Sequence, residues 1–418
     1  MAERGGAWSG RGGAAVAEER DVGRLGEIYS AEVTELAEVA RAEGAEHVEQ
    51  WDALSLARWA KSFRDSREGA GAAVRFAVRW WRENPDVVEA ASAEPNPSDE
   101  QLGRVVGGVE NLMKLRRYML VDYWDVDATK DGDMLFIIRG GVSNLKAMCD
   151  EVPREHILAY MLYFRLQGFI RCDKATRERG RLCKMIVVND LKYVSLSSGF
   201  EARFKSILKE TSELSEKLFP QLLEKSVMMN LPAWVLTVLK AFLLVMPQKA
   251  ASKTVICPGQ SLCDSTSKCQ YGEWSRKKFD NDQLPRFLGG KRPCPGGVFA
   301  HAPEGISSMQ GRQGADGAVA LVVPARSFKD ILLVVPEEGT TLGYRLDLED
   351  KGIEFQVLQE QPEEEEPVVI KESQKFKASD GPQEGVVKLQ GRGAVVVRFD
   401  NSYSVLNSKK LKYSVSIA

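Results

Sequence analysis

The sequence predicts an α/β domain built on a largely parallel sheet, with an α-helical region before it and an all-β sandwich after it. Three observations carry that prediction. Short apolar runs alternate with helical stretches between about residues 105 and 300. The residues before them show apolar side chains three and four apart. After about residue 317, turn-separated segments with period-two hydrophobicity take over.

Residues 1–24 are Gly/Ala-rich and charged, and read as a flexible tail. Residues 25–104 read as the helical region. In "GAAVRFAVRWWREN", Val74, Ala77, Val78 and Trp81 share one face, Arg75, Arg79 and Arg82 lie opposite, and Asn84-Pro85 stops the helix. "SAEPNPSDE" (92–100) reads as a polar loop. Residues 105–300 read as the α/β domain. "MLFIIR" (134–139), "KMIVVND" (184–190), "SVMMN" (226–230) and "KTVIC" (253–257) suit strands buried on both faces. "REHILAYMLYFRLQGF" (154–169) and "FEARFKSILKETSELSEKLF" (200–219) read as the helices between them. The Gly-, Pro- and Ser-rich stretch 260–310 reads as tail and linker, with the linker proper at 301–316. Residues 317–418 read as the sandwich. "YRLDL" (344–348), "IEFQV" (353–357) and "VVVRF" (395–399) are strands, and "LKYSVSI" (411–417) puts Leu411, Tyr413, Val415 and Ile417 on one face. "QPEEEEP" (361–367) reads as a solvated loop.

The charge balance, 57 basic against 59 acidic residues for a net -2, gives no reason to expect a nucleic-acid partner. No stretch reaches the roughly 18–20 apolar residues needed to span a bilayer, and no secretory signal is legible at the N-terminus. The expectation is a cytoplasmic protein peripheral to membranes. Cys257, Cys263, Cys269 and Cys294 lack the tight CxxC pairs of structural zinc sites and read as reduced thiols, with no metal and no cofactor. With three scattered histidines and no nucleophile or phosphate-loop motif, no catalytic residues are assigned and no enzyme is expected.

One stretch stands apart, "NLPAWVLTVLKAFLLVMPQKAASK" (230–253). Pro232 and Pro247 bracket about fourteen helical residues, roughly 21 Å at 1.5 Å per residue. Thr237 and Lys240 are the polar side chains between Ala233 and Met246. A surface helix normally carries a broad polar face. This one calls for apolar neighbours nearly all round, as a buried core helix or as a lid between a cavity and a membrane.

The order "KMIVVNDLKYVSLSS", "LFPQLLEKSVMMNLPAW", "ASKTVI" and "NDQLPRFLGG" resembles the CRAL-TRIO lipid-binding family, in its yeast phosphatidylinositol transfer protein-like branch. "LARWAKSFRDSREGAGAAVRFAVRWWREN" and "DATKDGDMLFIIRGG" are similar to the family's helical N-terminal region and sheet entry. "VVVRFDNSYSVLNSKKLKYSVSI" resembles the end of a GOLD domain. The resemblance implies a pocket holding a phospholipid or other apolar ligand, with Ala233, Leu236, Leu239, Leu243 and Met246 on its gate helix and Trp234 and Phe242 among its lining residues.

Carried over residue by residue, Lys253 takes the place of the family's phosphoinositide-binding lysine. Its partners depart from the pattern, with Ala250 for a Thr and Gln221 for an acid. Met185 and Val187 replace a Ser-x-Thr pair that binds phosphatidylcholine, which favours a more apolar ligand such as a sterol, tocopherol-like or retinoid-like molecule. Asp190 has packing and hydrogen bonding as its expected role. Arg58, Lys61, Arg64 and Arg67, three apart, form a basic face for solvent, membrane or head-group contact. The leading function is gated lipid binding with transfer or presentation at membranes, the GOLD-like domain recruiting a protein partner or membrane. The alternative is a lipid-sensing adaptor or scaffold in membrane traffic or signalling, without transfer.

Overall fold

The structure is a computed structural model that describes residues 19–45, 51–124, 127–143, 145–191, 201–230, 252–257, 262, 272–285, 288–292, 305–308, 312–313, 318–335, 341–349, 351–359, 368–390 and 393–417. Among the described residues seven helices come first: α1 (Val22–Ile28), α2 (Ser30–Ala42), α3 (Ala53–Ser62), α4 (Arg67–Glu83), α5 (Pro85–Ser92), α6 (Asp99–Val105) and α7 (Val109–Tyr118). Four of their starts, those of α1, α3, α4 and α6, follow side-chain capping. Asp52 accepts from the Ser55 N–H, Ser66 from the Gly69 N–H, and Ser98 forms a capping box with Gln101. Asn84-Pro85 ends α4 as expected, and Pro85 also opens α5 at a position where its missing N–H costs nothing.

The second unit has strands β1 (Val121–Trp124), β2 (Met134–Ile138), β3 (Met185–Asp190), β4 (Leu223–Met229) and β5 (Thr254–Cys257), in the order β1-β2-β3-β4-β5. β2 to β5 are parallel and β1 is an antiparallel edge. Helices α8 (Leu145–Glu151) and α9 (Arg154–Arg179) lie between β2 and β3, and α10 (Ala202–Leu218) between β3 and β4. β2 and β3 are buried on both faces as read, whereas β4 and β5 bury one face and leave Ser226, Met228, Thr254 and Ile256 half-buried on the other. Phe136, Met185 and Val187 join Tyr123 in the core shared with the helices. Leu135, Ile137, Ile186, Val188, Val227, Met229 and Val255 form a second core on the other face. α9 runs ten residues beyond the expected 169, because its buried stripe continues through Cys172 and Thr176 until Gly180 supplies a left-handed C-cap at φ +64°.

Aromatic contacts join the first helices to this unit. Trp59 lies edge-on to Phe169 of α9 at 6.2 Å and donates its indole N–H to the Lys217 carbonyl of α10, while Trp80 meets Phe219 at 6.0 Å. Part of the stretch read as tail and linker is instead packed structure. Helix α11 (Gly272–Lys278) and the turn after it bury Phe279, Leu284 and Leu288 in the second core.

Among the described residues the C-terminal unit has ten strands in two sheets, ordered β13-β10-β15-β8-β7 and β12-β11-β14-β9-β6. They are β6 (Gly305–Ser308), β7 (Arg312–Gln313), β8 (Val319–Val323), β9 (Phe328–Val335), β10 (Thr341–Leu348), β11 (Gly352–Gln359), β12 (Val368–Lys377), β13 (Gln383–Lys388), β14 (Gly393–Asp400) and β15 (Lys409–Ile417). β6 and β7 fall in the segment read as linker, 301–316, which therefore contributes to the sheets. Inward residues alternate as read: Leu411, Tyr413 and Val415 face a core with Phe355, Val397 and Phe399. Val396 points out of that core and is still only 2% exposed, because it packs with Leu358 against the second face of the parallel sheet. Val396→Ala removes about two methylene equivalents from that contact and should cost about 1.5–3 kcal/mol, read as a lower thermal midpoint.

Candidate functional site

Lys253 and its surroundings lie where the parallel strands begin. Asp133 precedes β2, Lys184 precedes β3, Glu224 is the second residue of β4, and Lys253 precedes β5. Parallel pairing sets these four positions side by side along one end of the sheet. Arg20, Lys61 of α3 and Lys278 of α11 reach the same layer.

Asp133 is buried and organises it. Its carboxylate accepts from the Arg20 guanidinium at 2.8 Å, from the Lys184 backbone N–H at 2.8 Å, and from the Lys278 ammonium. Arg20 also pairs with Glu224 at 2.5 Å, and the Lys184 ammonium stands 3.6 Å from the same carboxylate. Burial works to raise the Glu224 pKa, but Arg20, Lys184, Lys278 and Lys225 together hold it below the usual carboxylate value.

The cations of the layer crowd one another. Burial lowers the Lys184 pKa to about 7, and Arg20, Lys253 and Lys61 push the same way against the pull of Glu224. Burial, then the charge of Arg20, lowers Lys61 to about 8. Lys61 donates to the Glu19 carbonyl, and Lys253 donates to the Leu223 carbonyl at 2.8 Å. An anion entering this layer would meet prepositioned cations whose protonation it favours.

A second polar cluster lies at the opposite end of the strands. Buried Arg139 donates to Asp190 at 3.0 Å, and the other Asp190 oxygen accepts from the Asn230 amide at 2.8 Å. Asn230 adopts φ +54°. β4 and β5 are parallel neighbours, so the chain leaves one end of the sheet at Asn230 and re-enters at the other at Ser252. Both departure points are held, Asn230 by Asp190 and Ser252 by the Lys225 ammonium at 2.8 Å. The expected role of Asp190, packing and hydrogen bonding, matches what it does.

Ala233, Trp234, Leu236, Leu239, Phe242, Leu243, Met246 and Ala250 lie outside the described residues, so the gate stretch is not placed. Cys263, Cys269 and Cys294 also lie outside them; Cys257 is buried. Met185 and Val187 sit in the core shared with the helices, where Tyr123 donates its hydroxyl to the Met185 sulfur at 3.5 Å. Gln221, at φ +63°, donates to the Ser62 hydroxyl at 2.7 Å and so faces α3.

The basic face at Arg58, Lys61, Arg64 and Arg67 is not a face. α3 ends at Ser62, with Phe63 as its C-cap, and Arg67 opens α4 after a Ser66 cap, so the spacing of three does not continue along one helix. Arg58 is 2% exposed; it pairs with Asp173 at 2.7 Å and lies over the Phe169 ring at 5.1 Å. Lys61 is 5% exposed and belongs to the charge layer. Arg64 pairs with Asp65 at 3.8 Å, and Arg67 with Glu35 at 2.6 Å. Sequence reasoning missed Arg20, Asp133, Lys184, Glu224 and Lys278. A charged residue directly before or at the start of each apolar strand was the signal that could have found three of the five, Asp133, Lys184 and Glu224, beside Lys253.

Two outcomes follow from this layer. Asp133→Ala leaves buried cations without their acceptor and should destabilise the fold by about 3–5 kcal/mol in urea titration. Lys184 binds its proton more weakly in the folded chain than in the unfolded one, whose value is about 10.4. Between about pH 7 and pH 10 the unfolded chain therefore holds more protons at this residue, and stability rises with pH there. Below pH 7 the cost of burying the charge is fully present. The urea midpoint should increase from pH 7 to pH 9, and Lys184→Met should flatten that increase.

Residues 123–290, the segment carrying this sheet, match the CRAL/TRIO domain family. No curated protein matches the chain. Among solved structures the chain is similar to Sfh5, at 14% identity over 56% of this chain and 81% of that one, with TM-score 0.36. A mutant of the family 29 carbohydrate-binding module CBM29-2 aligns at 15% identity over 24% of this chain and 69% of its own, TM-score 0.18. A second family 29 module mutant aligns at 15% over 28% and 83%, TM-score 0.20.

Proposed function

We propose that the chain binds a lipid or other apolar small molecule in a gated pocket of its CRAL/TRIO segment and transfers or presents it at membranes. The C-terminal sandwich, read as a GOLD-like domain, recruits a membrane or a protein partner. Binding and shielding require no covalent step. The observation that carries the reading is the cation layer within the CRAL/TRIO match, with Lys253 and Lys184 entering adjacent parts of one sheet end.

Burial and like charge hold Lys184 near pH 7, so a ligand anion there relieves a cost the protein already bears. The apolar stretch 233–246 connects that end of the sheet to the Arg139–Asp190–Asn230 cluster at the other. This arrangement suits an amphiphile: a head-group anion at Lys184 and Lys253, and a tail along the apolar stretch. The gate helix, from Ala233 to Met246, would open for exchange while its two held ends stay in place.

Native mass spectrometry with organic extraction tests the reading. Stoichiometric amphiphile is the expected result, and a protein that carries none and takes none from vesicles sinks it. Lys253→Ala and Lys184→Ala should each weaken uptake of an anionic lipid about tenfold or more, the size of a hydrogen bond to a charged group, and leave a neutral lipid unaffected. Uptake of the anionic lipid should also weaken from pH 6.5 to pH 9 as Lys184 loses its proton.

A further inference from the structure

The connection between β14 and β15 is a rigid turn that presents two aliphatic side chains to solvent. Asn401, fully buried, donates through one amide nitrogen to the carbonyls of Val323, Pro324 and Asn407 at 3.0–3.1 Å. The Ser404 hydroxyl donates to the Asn407 carbonyl, and the Arg326 N–H donates to the Ser404 carbonyl at 2.9 Å. The Tyr403 hydroxyl donates to the Gly352 carbonyl at 2.6 Å. This bonding fixes the turn from several sides, and at its tip Val405 is 59% exposed and Leu406 87%.

Basic residues lie near the tip; of these Lys409 is buried, and Arg326 is bonded to the turn through its backbone N–H. The Lys375 ammonium lies 3.8 Å from the centre of the Tyr403 ring, and Lys409 lies 5.9 Å from it. Arg326 is bonded into the turn, Lys410 follows it on β15, and Lys351 precedes the Gly352 that holds Tyr403. Glu349, Glu354 and Asp400 share this end of the sandwich; Asp400 accepts from the Ser402 N–H at 2.6 Å.

We propose that this tip is a membrane-insertion point: Val405 and Leu406 enter the acyl boundary of a bilayer, and Lys375, Lys410 and Arg326 meet the phosphates of anionic lipids. An isolated exposed aliphatic residue needs no explanation, but two adjacent ones held out by a bonded turn inside a basic rim do. A protein partner fits less well. A specific protein interface buries about 1,000 Å² or more, beyond what two side chains at a tip supply, and its anchors are usually aromatic or Arg. A bilayer needs only depth and charge. The inference rests on the proposed lipid exchange only in that a carrier must reach a membrane.

Flotation of the full chain with vesicles of phosphatidylcholine alone and of phosphatidylcholine with phosphatidylserine tests it. The wild type should float with the anionic vesicles and lose that binding as salt is raised. Val405→Asp/Leu406→Asp should bind about tenfold or more weakly, and Lys375→Glu and Lys410→Glu should each lose about fivefold or more. All four positions are exposed, so thermal midpoints should stay at the wild-type value. Equal flotation of the tip variant and the wild type overturns the proposal. So does a wild type that floats with neither vesicle, including one found to hold a protein through this turn. Native mass spectrometry on the same samples keeps the two ideas apart. Ligand retained by a tip variant that no longer floats supports both; an empty protein that still floats through the tip supports insertion and removes the lipid-carrier reading.

Discussion

The buried carboxylate of Asp133 is the constraint on which the α/β unit depends. It receives the Arg20 guanidinium, the Lys184 N–H and the Lys278 ammonium. It thereby joins the residues before α1, the start of β3 and the end of α11, which are far apart in sequence. A carboxylate cannot be buried without such donors. The reverse holds as well: with Asp133 and Glu224 in place, the sheet end can keep several cations close together. Lys184 and Lys61 show the remaining imbalance in their lowered pKa values, caused first by burial. An anion-ready layer and a stable fold are here the same set of contacts.

The two ends of the sheet do different work. One end holds the charge layer. At the other, Arg139 and Asn230 saturate the two oxygens of Asp190, which fixes the point where the apolar stretch begins. β2 and β3 are held on both faces, one by α9 and its aromatic side chains and the other by the core shared with α11 and the sandwich.

The sandwich is coupled to that second face through Val396 and Leu358, on strands whose neighbouring residues serve its own core. Strand alternation would put these two side chains in water. Apolar residues at outward positions are the mark of a covered sheet face. The same unit leaves Val405 and Leu406 uncovered at a bonded turn, so its apolar surface divides into a part buried within the chain and a part available outside it.

The sequence by itself determined the architecture. The runs at 134–139 and 184–190 become parallel strands because unbroken apolar segments of that length need cover on both faces, and the alternation at 411–417 becomes a sandwich strand for the complementary reason. It also determined the order of motifs, and with it the place of Lys253 at a strand start. Only the tertiary structure decided the site. Local spacing made Arg58, Lys61, Arg64 and Arg67 look like one basic stripe, whereas capping at Phe63 and Ser66 splits them, and burial sends Arg58 to Asp173 and Lys61 to the charge layer. Arg20 and Asp133 are 113 positions apart. No periodicity links residues at that separation, because Arg20 is brought to Asp133 by the backbone bonding of residues 20–22 to Gly180–Leu182, which exists only once the chain is folded.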